Sequence, residues 1–186
     1  MFLTTYVSTN GEPFDSANRQ HIKSLLYGYN GLPRRVIDGK TQWIYRVVGT
    51  HKIKVLSNVP LKVGSSLSEL SCKEVSIDDS VSFECHAVIK HIHKETGKFH
   101  FTKDNTIING KIENWLLKSG ENIAAMPVKL AYCSGGDFAI KDGVKVWTYL
   151  IQGVLEVFDK DAFMAKVVNG IGDGRCYGFG MVDLWA

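Results

Sequence analysis

The 186-residue sequence predicts an α+β fold built as two halves in tandem. Three observations carry this. The first half reads strand, helix, strand, strand, weak element, strand. That is the order of a ferredoxin-like β-α-β-β-α-β unit whose second helix is degenerate. The second half reads helix, strands, helix, glycine-rich loop, strand, with no visible sequence repeat of the first. Between them, 94–110 is polar, rich in lysine and bounded by glycines, so the halves are expected at 1–93 and 111–186 with 94–110 as a basic linker or hairpin.

Each element has a local reason. Residues 2–8 are rich in β-formers and open the first half as a strand. Asp15 or Ser16 can cap a helix running to about Tyr27, with Ile22, Leu25, Leu26 and Tyr29 at helical spacing. Gly28 and Gly31-Leu32-Pro33 end it. Residues 41–48 and 51–56 read as two strands joined by Gly49-Thr50, a pair that suits a tight hairpin turn. Residues 63–71 hold a short turn or nothing regular. Val81–Ile92 reads as one long strand closing the first half, with Val81, Phe83, Cys85, Ala87 and Ile89 on one face.

In the second half, 111–125 reads as a helix with Ile112, Trp115, Leu116 and Ile123 inward. A short strand follows from Val128 to Cys133, and Ser134-Gly135-Gly136-Asp137 reads as a turn. Lys145–Phe158 is the strongest strand, with Trp147, Tyr149, Ile151, Leu155 and Val157 along one face. Asp159 is placed to cap a helix over 160–169 that buries Phe163 and Val167, and Gly170 is its expected C-terminal stop. A last strand covers 181–185.

Composition narrows the class. Apolar residues are 45% and charged residues 22%, the balance of a globular protein. No run of about 18 apolar residues exists, so no membrane span is expected. The N-terminus lacks the basic and apolar regions of a secretion signal. Cys72, Cys85, Cys133 and Cys176 form no C-x-x-C pair or zinc-finger spacing, so reduced thiols and a cytoplasmic location are expected. The net charge of +3 is small, but residues 1–58 carry eight Lys/Arg against Glu12, Asp15 and Asp38. That basic segment can meet a phosphate backbone or simply be a solvated surface.

The most specific feature lies near the C-terminus. Gly170, Gly172, Gly174, Gly178 and Gly180 fall within eleven residues, at a high cost in backbone entropy. Such a loop can expose N–H groups to a phosphate, and Arg175 adds a fork of donors. It is no Walker A, lacking Gly-Lys-Ser/Thr, and no dinucleotide fingerprint, because the glycines follow a helix and precede a strand. The competing reading is a tight helix-to-strand connection whose glycines serve packing alone.

Gly153-Val154-Leu155, the helix after Asp159, Gly170-Ile171-Gly172, Arg175 and Gly178-Phe179-Gly180-Met181-Val182 together resemble the C-terminal signature of the CasE family of CRISPR-associated endoribonucleases. The resemblance implies two tandem ferredoxin-like (RRM-like) halves. It also implies metal-independent cleavage of a CRISPR repeat stem-loop RNA, with no cofactor, no metal and no membrane. The products would be a 2′,3′-cyclic phosphate and a 5′-hydroxyl. The partners it implies are that RNA and the other subunits of a CRISPR effector complex.

The family's early helix carries a catalytic histidine, and His21 stands at that place. Placed about 100° from Ile22, it sits at the border of the buried face. Histidine suits proton transfer at the 2′-hydroxyl or the leaving 5′-oxygen, because its ordinary pKa is about 6.5. Candidate RNA contacts are Lys23, Arg34, Arg35, Lys90, Lys94, Lys98, Lys103, Gly172, Gly174 and Arg175. Phe99 and Phe101 interleave with several of these, as suits a hairpin and an unstacked base.

Two departures from the family pattern stand out. Asn18 occupies the place of an assisting tyrosine. His86-Ala87-Val88-Ile89-Lys90 keeps little of the family's central basic motif. Asn18 leaves room for a second reading, a subunit of this fold that holds an RNA hairpin without cutting it. A third is an unrelated ferredoxin-like domain. His86, His91, His93 and His100 are near one another in sequence, but no cysteine or carboxylate completes a metal set.

Overall fold

The computed structural model describes residues 1–9, 36–37, 40–41, 43–48, 50–57, 67–74, 77–92, 99–101, 112, 116, 123–139 and 145–185. In chain order the first strands are β1 (Phe2–Ser8), β2 (Val36–Ile37), β3 (Lys40–Thr41), β4 (Trp43–Val48), β5 (Lys52–Ser57) and β6 (Leu67–Glu74). They are followed by β7 (Ser80–Ala87), β8 (Lys90–Ile92), β9 (Phe99–Phe101), β10 (Ala125–Ala139), β11 (Lys145–Val157) and β12 (Val182–Trp185). A helix, Lys160–Asn169, joins β11 to the last strand by way of the glycine-rich loop.

Two four-stranded antiparallel sheets organise these strands, in the orders β4-β5-β1-β6 and β10-β11-β7-β12. Counted within its own half, each sheet runs second, third, first, fourth strand. That shared order is the signature of the β-α-β-β-α-β unit, so the tandem ferredoxin-like architecture stands.

Several expectations are corrected. The long strand expected over Val81–Ile92 ends at Ala87 and pairs with β11 and β12, in the second sheet. The first sheet is closed instead by β6, which pairs with β1 where no regular structure was expected. The sheets therefore divide between Glu74 and Ser80, ahead of the boundary at 93. Glu69, Leu70, Ser71 and Cys72 of β6 are exposed, so an edge strand held by backbone pairing leaves no apolar alternation to read.

Ser134-Gly135-Gly136-Asp137 is not a turn. β10 runs through it with a register shift between Ser134 and Gly136, and Gly136 takes φ +89°. The two glycines mark a bulge rather than a chain reversal. The β4–β5 hairpin is closed by three residues, since Val48 pairs with Lys52.

The helix Lys160–Asn169 is found with the expected ends. The Asp159 carboxylate accepts from the Ala162 N–H at 2.9 Å, and Gly170 is the C-cap at φ +72°. Phe163, Val167 and Val168 are buried on its inner face.

The second sheet has two buried faces of different character. Val81, Phe83, Cys85 and Ala87 share one face with Tyr149, Ile151 and Leu155, and all belong to the main apolar core with Phe163 and Val167. Glu84 and His86 alternate onto the other face, and both are buried. Glu84 meets the first sheet there, through an ion pair with Arg46 of β4.

Candidate nucleic-acid interface

The glycine-rich segment begins where the Gly170 N–H donates to the Val167 carbonyl and the helix stops. The chain then folds back on itself. The Ile171 N–H donates to the Gly180 carbonyl at 2.8 Å, and the Gly180 N–H donates to the His86 carbonyl at 2.8 Å. Asp173 forms an isolated bridge with Val88 at the end of β7. Between Gly174 and Gly178, both left-handed, Arg175–Tyr177 makes one 3-10 turn.

Contacts explain why alanine would not serve. A Cβ on Gly170 would strike the Ile44 side chain, and one on Gly178 would lie 2.7 Å from Cε2 of the Tyr45 ring. Ile44 and Tyr45 are neighbours on β4, so their side chains leave opposite faces of the strand. The segment therefore touches the first sheet on both faces of β4. A Cβ on Gly180 would strike the Ile171 carbonyl oxygen. At these three positions the packing account of the glycines holds.

The cradle expected of the loop is correspondingly small. The N–H groups of Gly170, Ile171, Tyr177, Gly178, Phe179 and Gly180 all donate to carbonyls of the protein. The expected Gly172, Gly174 and Arg175 lie between these bonded groups, around Asp173, which is itself bridged to Val88. The Arg175 side chain is half-buried, and its Nη1 donates to the Gly170 carbonyl at 3.4 Å. That bond ties one arm of the guanidinium to the loop. Among the described residues no carboxylate is paired with it, so its charge is available to an anion.

His86 is placed behind this loop. Its Nε2 lies 2.7 Å from the Thr148 hydroxyl, which itself donates to the Gly136 carbonyl at 3.1 Å. One hydroxyl carries one proton, so Nε2–H must be the donor to Thr148. The imidazole meets Phe138 and Phe179 edge-on, at ring-centroid distances of 4.9 Å and 5.5 Å. His86 therefore supports the loop from the protein side, and among the described residues it belongs to no group of three or more His, Cys, Asp or Glu side chains that could hold a metal ion.

Of the other expected RNA contacts, Lys90 lies in β8, in register with Phe101 of β9, and His91 faces His100 in the same short hairpin. Phe99–Phe101 of the basic stretch is therefore one strand of a hairpin whose other strand is Lys90–Ile92, and the rest of 94–110 lies outside the described residues. The catalytic candidate His21 and the contacts Lys23, Arg34, Arg35, Lys94, Lys98 and Lys103 lie outside the described residues.

Sequence reasoning missed the group of charges between the sheets. Arg46 Nη2 pairs with Glu84, and its Nη1 lies 3.5 Å from Asp183 Oδ2. Lys54 Nζ donates to Asp183 Oδ2 at 2.6 Å, and the Gln152 amide donates to Glu84. Burial lowers the Arg46 pKa from its ordinary value, and the carboxylate of Asp183 and the Cys85 thiol oppose that shift. The available signal was the alternation of Glu84 and His86 with apolar residues, which reads as a solvated face until the other sheet is known.

Residues 94–185 match the family model described as CRISPR associated protein. No curated protein matches the sequence. Among solved structures, the chain is similar to CRISPR endoribonuclease Cse3 bound to a 19-nucleotide RNA. The TM-score is 0.77 at 17% identity, with all of both chains covered. It is similar to the CRISPR-associated protein Cas6e from Escherichia coli K-12, with TM-score 0.73 at 15% identity over 99% of this chain and 98% of that one. It is also similar to a chain of a CRISPR RNA-guided surveillance complex, with TM-score 0.68 at 16% identity over 99% and 98%. At these identities the likeness is one of fold.

Proposed function

Through residues 94–185 this chain belongs to the family of CRISPR associated proteins, and from that premise we propose that it is an endoribonuclease that cuts CRISPR repeat stem-loop RNA. One observation carries the reading. The Arg175 turn is seated on β4 of the first sheet within a fold shared, over its whole length, with an endoribonuclease bound to RNA. The turn offers a guanidinium and a short run of glycine backbone to the phosphates.

The chemistry proposed is attack of a 2′-hydroxyl on the adjacent phosphorus, with departure of the 5′-oxygen. His21 moves a proton at one of those oxygens, and Lys23, Arg34, Arg35 and Arg175 are the cations that can offset the charge on the phosphorane. The products are then a 2′,3′-cyclic phosphate and a 5′-hydroxyl, and no metal ion takes part. Lys90, in β8, and Lys94, Lys98 and Lys103, close to it in sequence, contact the stem.

The protein stays with its product as a subunit of a CRISPR effector complex, which the likeness to a surveillance-complex chain supports. Its four cysteines are free thiols, in keeping with the cytoplasmic location we assign. Among the described residues no helix is long and apolar enough to cross a membrane.

The test compares wild type with His21→Ala on end-labelled repeat RNA, measuring cleavage and binding separately. Loss of cutting with binding retained supports the enzyme reading. Equal cutting by the variant removes His21 from the mechanism. Binding without cutting by the wild type itself would favour the hairpin-holding subunit that Asn18 leaves open.

A further inference from the structure

We propose that Arg46, Lys54, Glu84 and Asp183 form a charge-keyed lock between the two sheets, and that Arg46 thereby acts as a positioning residue for the Arg175 turn. The register makes the case. Arg46 and Lys54 are directly opposite each other on β4 and β5, and Glu84 and Asp183 are directly opposite each other on β7 and β12. Like charges at opposed ladder positions destabilise a sheet. Each sheet therefore carries a repulsive pair of its own, and the two pairs are opposite in sign. Only when the sheets meet do the four charges sum to zero.

The contacts are crossed rather than merely close. Asp183 Oδ2 is shared by Arg46 at 3.5 Å and Lys54 at 2.6 Å, while Glu84 is shared by Arg46 and Gln152. Arg46 is 8% exposed and Asp183 2%, so this is an interior network. Apolar residues in its place would hold the sheets together at least as well, because burying ions is costly. What a buried network supplies is discrimination. Sliding β4 by two residues would set Ile44 or Val48 against Glu84 and leave a carboxylate buried without a cation, which is the expensive outcome.

The same strand connects the lock to the loop. Arg46 follows Ile44 and Tyr45, the two side chains on which Gly170 and Gly178 are seated. The placement of β4 against the second sheet thus sets the seat of the Arg175 turn. This positioning role in RNA recognition rests on the proposed function; the lock itself does not.

The experiment uses the full-length protein. Arg46→Leu, Arg175→Ala and the double variant are measured for repeat-RNA affinity, with Arg46→Lys as the conservative control. Arg46→Leu is expected to weaken binding roughly tenfold, the scale of coupling within one ion-pair network, and to add little once Arg175 is already alanine. Arg46→Lys should recover most of the affinity. Fully additive losses, or wild-type affinity in Arg46→Leu, would overturn the positioning role.

In parallel, urea unfolding of Arg46→Leu, Glu84→Leu and the pair reads the lock without RNA. The double variant should be more stable than the sum of the single losses predicts. Additivity there overturns the lock. A wild type that ignores RNA while the unfolding cycle shows coupling would reject the proposed function and keep the lock. Should Arg46→Leu fail to fold, the cycle of Lys54→Met with Asp183→Asn carries the same decision.

Discussion

Gly178 sits against the ring of Tyr45, on the first sheet, so closely that an added Cβ would be 2.7 Å from it. The glycine also holds φ +83°, where a side chain is strained in any surroundings. Gly178→Ala is expected to cost about 2–4 kcal/mol, from overpacking together with backbone strain. Urea unfolding checks this. A midpoint equal to that of wild type would show that the loop is not pinned to β4.

The His86–Thr148 bond makes a second prediction. Thr148→Val keeps the shape but removes the acceptor for a buried imidazole N–H, so it should cost about 1–3 kcal/mol. Because Phe179 packs on His86, the variant should also loosen the segment from Gly174 to Gly180, seen as faster amide exchange. Unchanged exchange with unchanged stability would contradict the supporting role given to His86.

Thiol chemistry separates the cysteines. Cys72 and Cys133 are exposed, whereas Cys85 is buried and its pKa is pushed up to about 12 by that burial, against the pull of Arg46. At pH 8 a thiol reagent should modify Cys72 and Cys133 in the native protein and Cys85 only on unfolding, since the thiolate is the nucleophile. Burial likewise raises Tyr6 to about 12. For both groups the folded state keeps its proton longer than the unfolded state, so their contribution is fully present below pH 9 and lost as pH rises toward 12. Cys85→Ala and Tyr6→Phe should each flatten the alkaline fall in the unfolding midpoint. A steeper fall in either variant would reverse the assignment.

The N-cap supplies a small, local effect. Asp159→Ala removes the acceptor of the Ala162 N–H and should cost about 1 kcal/mol. Asp159→Asn should recover most of it, as thermal unfolding can show. An alanine variant as stable as wild type would mean that packing of Phe163 and Val167 alone holds the helix.

How much of this was legible depended on how local the cause was. The helix from Lys160 to Asn169 was legible because its cap, its apolar spacing and its terminal glycine all lie within twelve residues. β6 was not, because its exposed Glu69-Leu70-Ser71-Cys72 owes its conformation to pairing with β1, far away in the sequence. The same holds for β7, whose apolar pattern was read correctly but whose partners, β11 and β12, only the folded chain reveals. Gly135-Gly136 carries the composition of a turn, and only the neighbouring His86 and Thr148 show why glycine is needed inside a strand.

At the candidate site, Arg175 and its flanking glycines could be found from spacing. Their seat on Ile44 and Tyr45 could not, because it joins residues some 130 apart. The inter-sheet charges were hidden for a related reason: Glu84 alternates with apolar residues as a solvated side chain would.

The central claim is cleavage by an internal 2′-hydroxyl, and one measurement reaches it directly. Purified protein is mixed in EDTA with end-labelled repeat stem-loop RNA, beside the same RNA carrying a single 2′-deoxynucleotide at the mapped cut site. The account predicts cutting of the first RNA, leaving a 2′,3′-cyclic phosphate, and an intact second RNA. Equal cutting of both, or cutting only when divalent metal is restored, would contradict it.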